Sequence, residues 1–147
     1  MPSPREWGPH LWYALHAMAG AYPERPPGEV RRAAARLLIA LTLLLPCPVC
    51  ARNLRRDLRE HRLWPATATR DAFERFVYDL HARVNTRDGR DVGPPFETVR
   101  RAFRPSAHGP SAWADAKARF EATIANHSTH DYQSRSHAHA HGSRARH

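Results

Sequence analysis

Apolar residues recur along this chain at spacings of three and four, the period of a helix laid against a core. Trp12, Leu15, His16, Ala19 and Tyr22 align this way in a first segment, with Pro9 suited to a first helical turn and Pro23, Pro26 and Pro27 ending the run. Glu29 to about Leu45 predicts a second helix, rich in Ala, Leu and Arg rather than β-branched residues, and Pro46 and Pro48 break it. Val49 to His61 predicts a third, with Leu54 and Leu58 on one face. After a loop around Trp64-Pro65, Asp71 and Glu74 form a candidate capping pair for a fourth helix. Its stripe is Phe73, Phe76, Val77, Leu80 and Val84, and it stops near Asp88-Gly89, where glycine takes the left-handed C-terminal position. Gly93-Pro94-Pro95 marks a turn, FETVRRAF a short helical piece, and Ser111 a candidate cap for a last helix carrying Trp113, Phe120 and Ile124. Nothing alternates as a strand does and no segment repeats, so the expectation is an all-α protein, a small helical bundle.

The pattern also divides the chain. Apolar residues concentrate in residues 7 to 126, whereas residues 127 to 147 offer only Tyr132 and a few alanines to a core. The reading is one domain over 1–126 followed by a disordered His/Arg/Ser-rich tail over 127–147, because so little burial does not offset the entropy of ordering it.

Charge adds a second question. A net charge of +9 makes nucleic acid or another polyanion a partner to consider. Much of that charge falls at helical spacing, in Arg31, Arg32 and Arg36 and again in Arg52, Arg55, Arg56, Arg59 and Arg62, as on solvated helix faces. No zinc-finger, homeodomain or RNA-recognition signature accompanies it, so nucleic acid is a partner only for the basic faces or the tail. The longest apolar run, Leu37 to Leu45, is far shorter than the ~20 residues a spanning helix needs, and the N-terminus lacks a signal-peptide pattern. The expectation is a protein that is neither membrane-bound nor secreted.

Cys47 and Cys50, in LLLPCPVCARNL, are the only cysteines. A structural zinc site needs four ligands, and no histidine pair follows at finger spacing; His137, His139 and His141 in the tail read as low complexity. A thioredoxin-like pair needs a preceding strand, where this sequence reads as helix. A staple across three residues closes too small a loop to stabilise much. Redox chemistry is the reading left in front, and it needs an electron acceptor. Two distant stretches offer a site for one. Gly8, Trp12 and His16 lie at intervals of four on one helix face, supplying close backbone approach, a flat stacking surface and a hydrogen bond. His81 and Asn85 are again four apart, with Arg90 beyond the helix end. A planar, phosphate-bearing cofactor suits such a set, and core aromatics around a satisfied histidine are the alternative.

Together the three stretches resemble the Erv/ALR family of FAD-linked sulfhydryl oxidases, particularly its compact viral members. The pattern G-x-x-x-W-x-x-L-H with a following Y-P is matched by Gly8, Trp12, Leu15, His16, Tyr22 and Pro23. C-x-x-C-A is matched by Cys47, Cys50 and Ala51, and H-N-x-V-N-x-x-L-G-K by His81, Val84, Asn85, Gly89 and Arg90. The resemblance implies a four-helix bundle with a short fifth helix that holds FAD and commonly dimerises. It implies Cys47 and Cys50 as the redox-active disulfide, with Cys50 next to the flavin. Around the cofactor it implies Gly8, Trp12, His16, Tyr22, Tyr78, His81, Val84, Asn85 and Arg90, with Phe103 and Arg104 at its edge. Pro9, Ala82, Asp88 and Arg90 depart from the residues usual in the family.

The implied activity is that of a thiol:oxygen oxidoreductase, in which a substrate protein's thiol attacks Cys47 and oxygen accepts the electrons as hydrogen peroxide. With no further cysteine to act as a shuttle, an exposed Cys47, a thioredoxin-like or C-x-x-C-bearing substrate and a noncovalent homodimer are expected. A viral enzyme of the host cytoplasm or virion is the implied setting, with the mitochondrial intermembrane space as the alternative. The competing function is a basic helical module that binds nucleic acid or an acidic protein and carries a passive thiol pair.

Overall fold

The computed structural model describes residues 2–104. Among them the chain forms four long helices, α1 (Pro4–Gly20), α2 (Gly28–Leu44), α3 (Pro48–Glu60) and α5 (Arg70–Arg87), with two short ones, α4 (Leu63–Ala66) and α6 (Phe96–Phe103). No strand occurs among the described residues. The expected helix after Ser111 and the tail over 127–147 lie outside them.

Local chemistry sets the ends of these helices, and in two places it moves them from the expected positions. α1 begins at Pro4 rather than near Pro9. Ser3 caps it by accepting the Arg5 amide on its hydroxyl, while the Glu6 carboxylate reaches back to the Ser3 amide. Pro9 therefore sits within the helix, where its missing N–H removes one backbone bond. α5 is capped by Thr69, whose hydroxyl accepts the Ala72 amide at 3.2 Å, rather than by the Asp71 and Glu74 pair. Glu74 is buried and serves elsewhere. The loop expected around Trp64-Pro65 folds instead into the single turn α4, entered through Arg62 at a left-handed φ of 48°. Gly89 follows α5 at φ 68°, a conformation that glycine adopts without a Cβ penalty.

Packing joins α1 to α5 and α6, and α2 to α3 and α4, with α4 and α6 also against α5. The core is drawn from Leu15 and Ala19 of α1, Leu38 of α2, Leu58 of α3 and the Phe73, Phe76, Val77 and Leu80 stripe of α5. Ala34 and Ala35 keep the α2 contact face small, which lets neighbouring side chains close over it. Two carboxylates are taken into this interior with partners, as burial of charge requires. Asp57 of α3, 2% exposed, accepts two bonds from the Arg87 guanidinium at 2.9 and 3.0 Å, tying α3 to the end of α5. Glu74 of α5 accepts from Arg104, which also pairs with Asp71 and so pins the chain just beyond α6. The bond to Glu74 holds the Arg104 guanidinium still more firmly protonated than usual, with Asp71 adding to the effect against a penalty from burial.

Candidate functional site

α1 carries Gly8, Trp12 and His16 on one face, and α5 turns Tyr78, His81, Val84 and Asn85 toward it. Between the two faces lies a cavity of about 480 Å³, within the range of small-molecule and cofactor sites. Leu38 and Leu41 of α2 and Leu45 just after it line it with apolar surface, as does Leu54 of α3, beside Asn53. The segment after α5 contributes Arg90, and α6 contributes Val99 and Phe103.

The aromatic residues of the cavity form a connected stack. Trp12 lies flat against His81, with ring centroids 4.2 Å apart and an 8° angle between planes. His16 Nε2 and His81 Nδ1 are 3.1 Å apart, so one ring donates to the other, and Phe103 stacks on His16 at 5.3 Å. Neither histidine takes a proton readily. Burial lowers the His16 pKa to about 4, with the neighbouring His81 adding to the effect. His81 is likewise lowered, first by burial and then by the charge of Arg90. The pair is thus a neutral hydrogen-bonding unit near pH 7. Tyr78 fixes the wall beside it by donating to the Pro94 carbonyl at 2.9 Å and setting its ring edge-on to Phe96.

The disulfide stands at the α2–α3 junction, where Cys47 and Cys50 are bonded. Pro46 and Pro48 force the break between the helices, and Cys47 becomes the residue that caps α3. Its sulfur accepts the Cys50 amide at 3.2 Å. Cys50, in the first turn of α3, lines the cavity, and Cys47 is not part of the lining. Cys47 is half-buried rather than exposed as expected, although its neighbours Pro46, Pro48 and Val49 are exposed.

Of the residues expected around a cofactor, Gly8, Trp12, His16, Tyr78, His81, Val84, Asn85, Arg90 and Phe103 come together in the lining. Tyr22 and Arg104 do not. Tyr22 is buried, donates its hydroxyl to the Thr67 carbonyl at 3.0 Å and packs against Phe73, so it braces α4. Arg104 spends its guanidinium on Glu74 and Asp71. Sequence reasoning missed the wall made by Leu38, Leu41, Leu45, Asn53 and Leu54. Leu54 carried a signal in its helical stripe, whereas Asn53 carried none. It also missed Trp7, whose indole N–H is buried in the cavity wall without an acceptor among the described residues.

A large planar group with phosphates fits this donor set. Gly8 is buried in the wall, and a Cβ added there would meet nothing within 4 Å, so a ligand can approach the backbone. Among the described residues the Trp7 N–H finds no acceptor, which a ligand carbonyl would provide. Arg90 brings positive charge to the lining just beyond α5, where Arg87 is paired with Asp57.

The Erv1 / Alr family model matches residues 9–103. A protein named as an FAD-linked sulfhydryl oxidase in Invertebrate iridescent virus 6 is 30% identical over 98 residues, covering 62% of this chain and 86% of its own length. The FAD-linked sulfhydryl oxidase ERV1 of Arabidopsis thaliana is 31% identical over 59% of this chain, which spans only 44% of that protein. Among solved structures, the FAD-binding domain of Erv1 from Saccharomyces cerevisiae aligns with a TM-score of 0.66 at 20% identity, over 71% of this chain and 96% of that one. That likeness shows a shared fold.

Proposed function

The chain belongs to the Erv1/Alr family, and on that premise we propose that it is an FAD-dependent thiol oxidase, forming disulfides in protein thiols through Cys47 and Cys50. One observation carries the reading most of the way. Cys50 opens onto the same cavity as Trp12, His16, His81 and Asn85, while its partner sulfur is absent from that lining. That placement supports a disulfide with Cys50 toward the cofactor and Cys47 as the sulfur an incoming thiol attacks.

The chemistry of the chain follows from that placement. A substrate thiolate attacks the Cys47 sulfur; the Cys47–Cys50 bond breaks, and Cys50 leaves as a thiolate. The N-terminus of α3 favours the charge on Cys50, which lies in its first turn. A second substrate thiolate then attacks the substrate sulfur of the mixed disulfide and releases Cys47. The Cys50 amide, which already points at the Cys47 sulfur, supports that thiolate. The substrate has lost two electrons and two protons, and the chain holds a reduced pair. Bound FAD supplies the two-electron passage from that pair to oxygen, which leaves as hydrogen peroxide. Trp12 provides a stacking face, the neutral His16 and His81 pair and Asn85 provide hydrogen bonds, and Arg90 provides charge for the phosphates.

The 147 residues hold no cysteine besides this pair, which supports a substrate thiol that attacks Cys47 directly. Relatives in an iridescent virus and in a mimivirus support a viral enzyme that works in the host cytoplasm or virion, whereas the fission yeast relative is named as mitochondrial. No helix among the described residues is long and apolar enough to cross a membrane. The function is tested by oxygen consumption with dithiothreitol. Wild type is expected to consume oxygen and produce peroxide, and Cys50→Ser to lose at least about a hundredfold of that rate, the scale of losing an essential nucleophile or leaving group. A Cys50→Ser protein as active as wild type would sink the mechanism.

A further inference from the structure

α3 is amphipathic in an unusual sense: its inner face holds Cys50, Asn53, Leu54 and Asp57, and its outer face is almost entirely arginine. At about 100° per residue, Arg52, Arg55, Arg56 and Arg59 fall within one arc of about 100°. Pro48 lies inside that arc and Val49 at its edge, and these are the two residues between the cysteines. All six are exposed.

The four arginines also differ from others of the chain in what they meet. Arg75, Arg87 and Arg104 are paired with carboxylates. Among the described residues no acidic side chain pairs with Arg52, Arg55, Arg56 or Arg59; Arg55 donates only to the Thr42 carbonyl and Arg56 only to the Asn53 side chain, both neutral acceptors. Near the disulfide, at the end of α2 that Arg55 reaches through the Thr42 carbonyl, exposed side chains are apolar. Leu43 is 75% exposed, Leu44 74% and Val49 55%. An uncompensated cationic stripe that runs into exposed apolar side chains at a reactive bond is complementary to a surface with carboxylates around an apolar-flanked thiol.

We propose that the outer face of α3, together with Leu43, Leu44 and Val49, is the docking surface for the substrate protein, and that it selects one whose reactive cysteines are flanked by acidic residues. The proposal rests on the oxidase reading and names the substrate class of that site. A nucleic acid would use the arginines but offers nothing apolar to Leu43, Leu44 and Val49. The stripe also starts at the disulfide itself, which gives a docked protein thiol a short path to Cys47.

The test uses the flavin-loaded full chain and two reduced C-x-x-C peptides that differ only in flanking residues, glutamates in one and lysines in the other. At low salt the acidic peptide is expected to be oxidised with a kcat/KM about tenfold above the basic one, a preference that fades as salt screens it. The double variant Arg52→Glu with Arg59→Glu is expected to lose or invert the preference while oxidising dithiothreitol at the wild-type rate. The salt series on wild type needs no variant, so a variant that misfolds does not protect the idea. Equal rates for the two peptides at low salt, with dithiothreitol still oxidised, would overturn the docking surface and leave the oxidase intact. No oxygen consumption with any thiol would instead remove the oxidase reading and the docking surface with it. Equal peptide rates joined to tight, salt-sensitive binding of a DNA duplex would overturn the proposal in favour of a nucleic-acid face.

Discussion

His16 and His81 form the residue-scale feature with the sharpest physical consequence. Unfolded, His16 takes a proton near pH 6.5; folded, burial delays this to about 4. Between those values the unfolded chain binds more protons, so the contribution of His16 is complete above about pH 6.5 and is lost as the pH falls through the window. Its share of the slope is at most about 1.4 kcal/mol per pH unit. Urea unfolding of wild type and His16→Asn near pH 7 and near pH 5 reads it. The wild type is expected to lose more stability than the variant on acidification, and equal losses would contradict a buried neutral His16. At this scale the sequence was informative where spacing carried direction: Trp12 with His16, and His81 with Asn85, sit four apart and reach one cavity. Tyr22 and Arg104 stand outside the cavity lining, because a motif position gives a residue's identity and not its partner. The Thr67 carbonyl captures the Tyr22 hydroxyl, and Glu74 with Asp71 captures the Arg104 guanidinium.

At the scale of elements, the periodicity of three and four located each long helix, while ends and contacts depended on finer chemistry. The Ser3 and Glu6 capping box, the Thr69 cap and the single turn α4 rest on one or two hydrogen bonds each, too local to perturb an apolar stripe. Helix-to-helix approach was equally silent. Gly20, at the end of α1, abuts the backbone of Phe103, and an added Cβ would collide with the Phe103 carbonyl. Gly20→Ala must therefore push α6 outward, at a cost of about 1–3 kcal/mol, and carry with it the Phe103 ring that stacks on His16. The variant is expected to unfold at a lower temperature and to retain less FAD after purification. A Gly20→Ala protein with wild-type melting and full flavin content would show that the contact between α1 and α6 does not shape the site.

At the scale of the whole molecule, the cavity draws its walls from α1, α2, α3, α5 and α6, stretches far apart in the chain. Periodicity shows that each has an apolar face but not which faces meet, so the leucine wall of α2 and α3 was beyond sequence reading. What the fold adds to the motifs is a single volume that joins Cys50 to Trp12, His16, His81 and Asn85. A reductive titration tests that junction directly. The protein, purified with its flavin, is titrated with dithiothreitol in the absence of oxygen while the visible flavin band is followed. The account predicts a yellow protein whose band bleaches with the dithiol and returns on admitting air, and a Cys50→Ser variant that stays yellow. A colourless protein that FAD cannot reconstitute, or a variant that bleaches as readily as wild type, would contradict it.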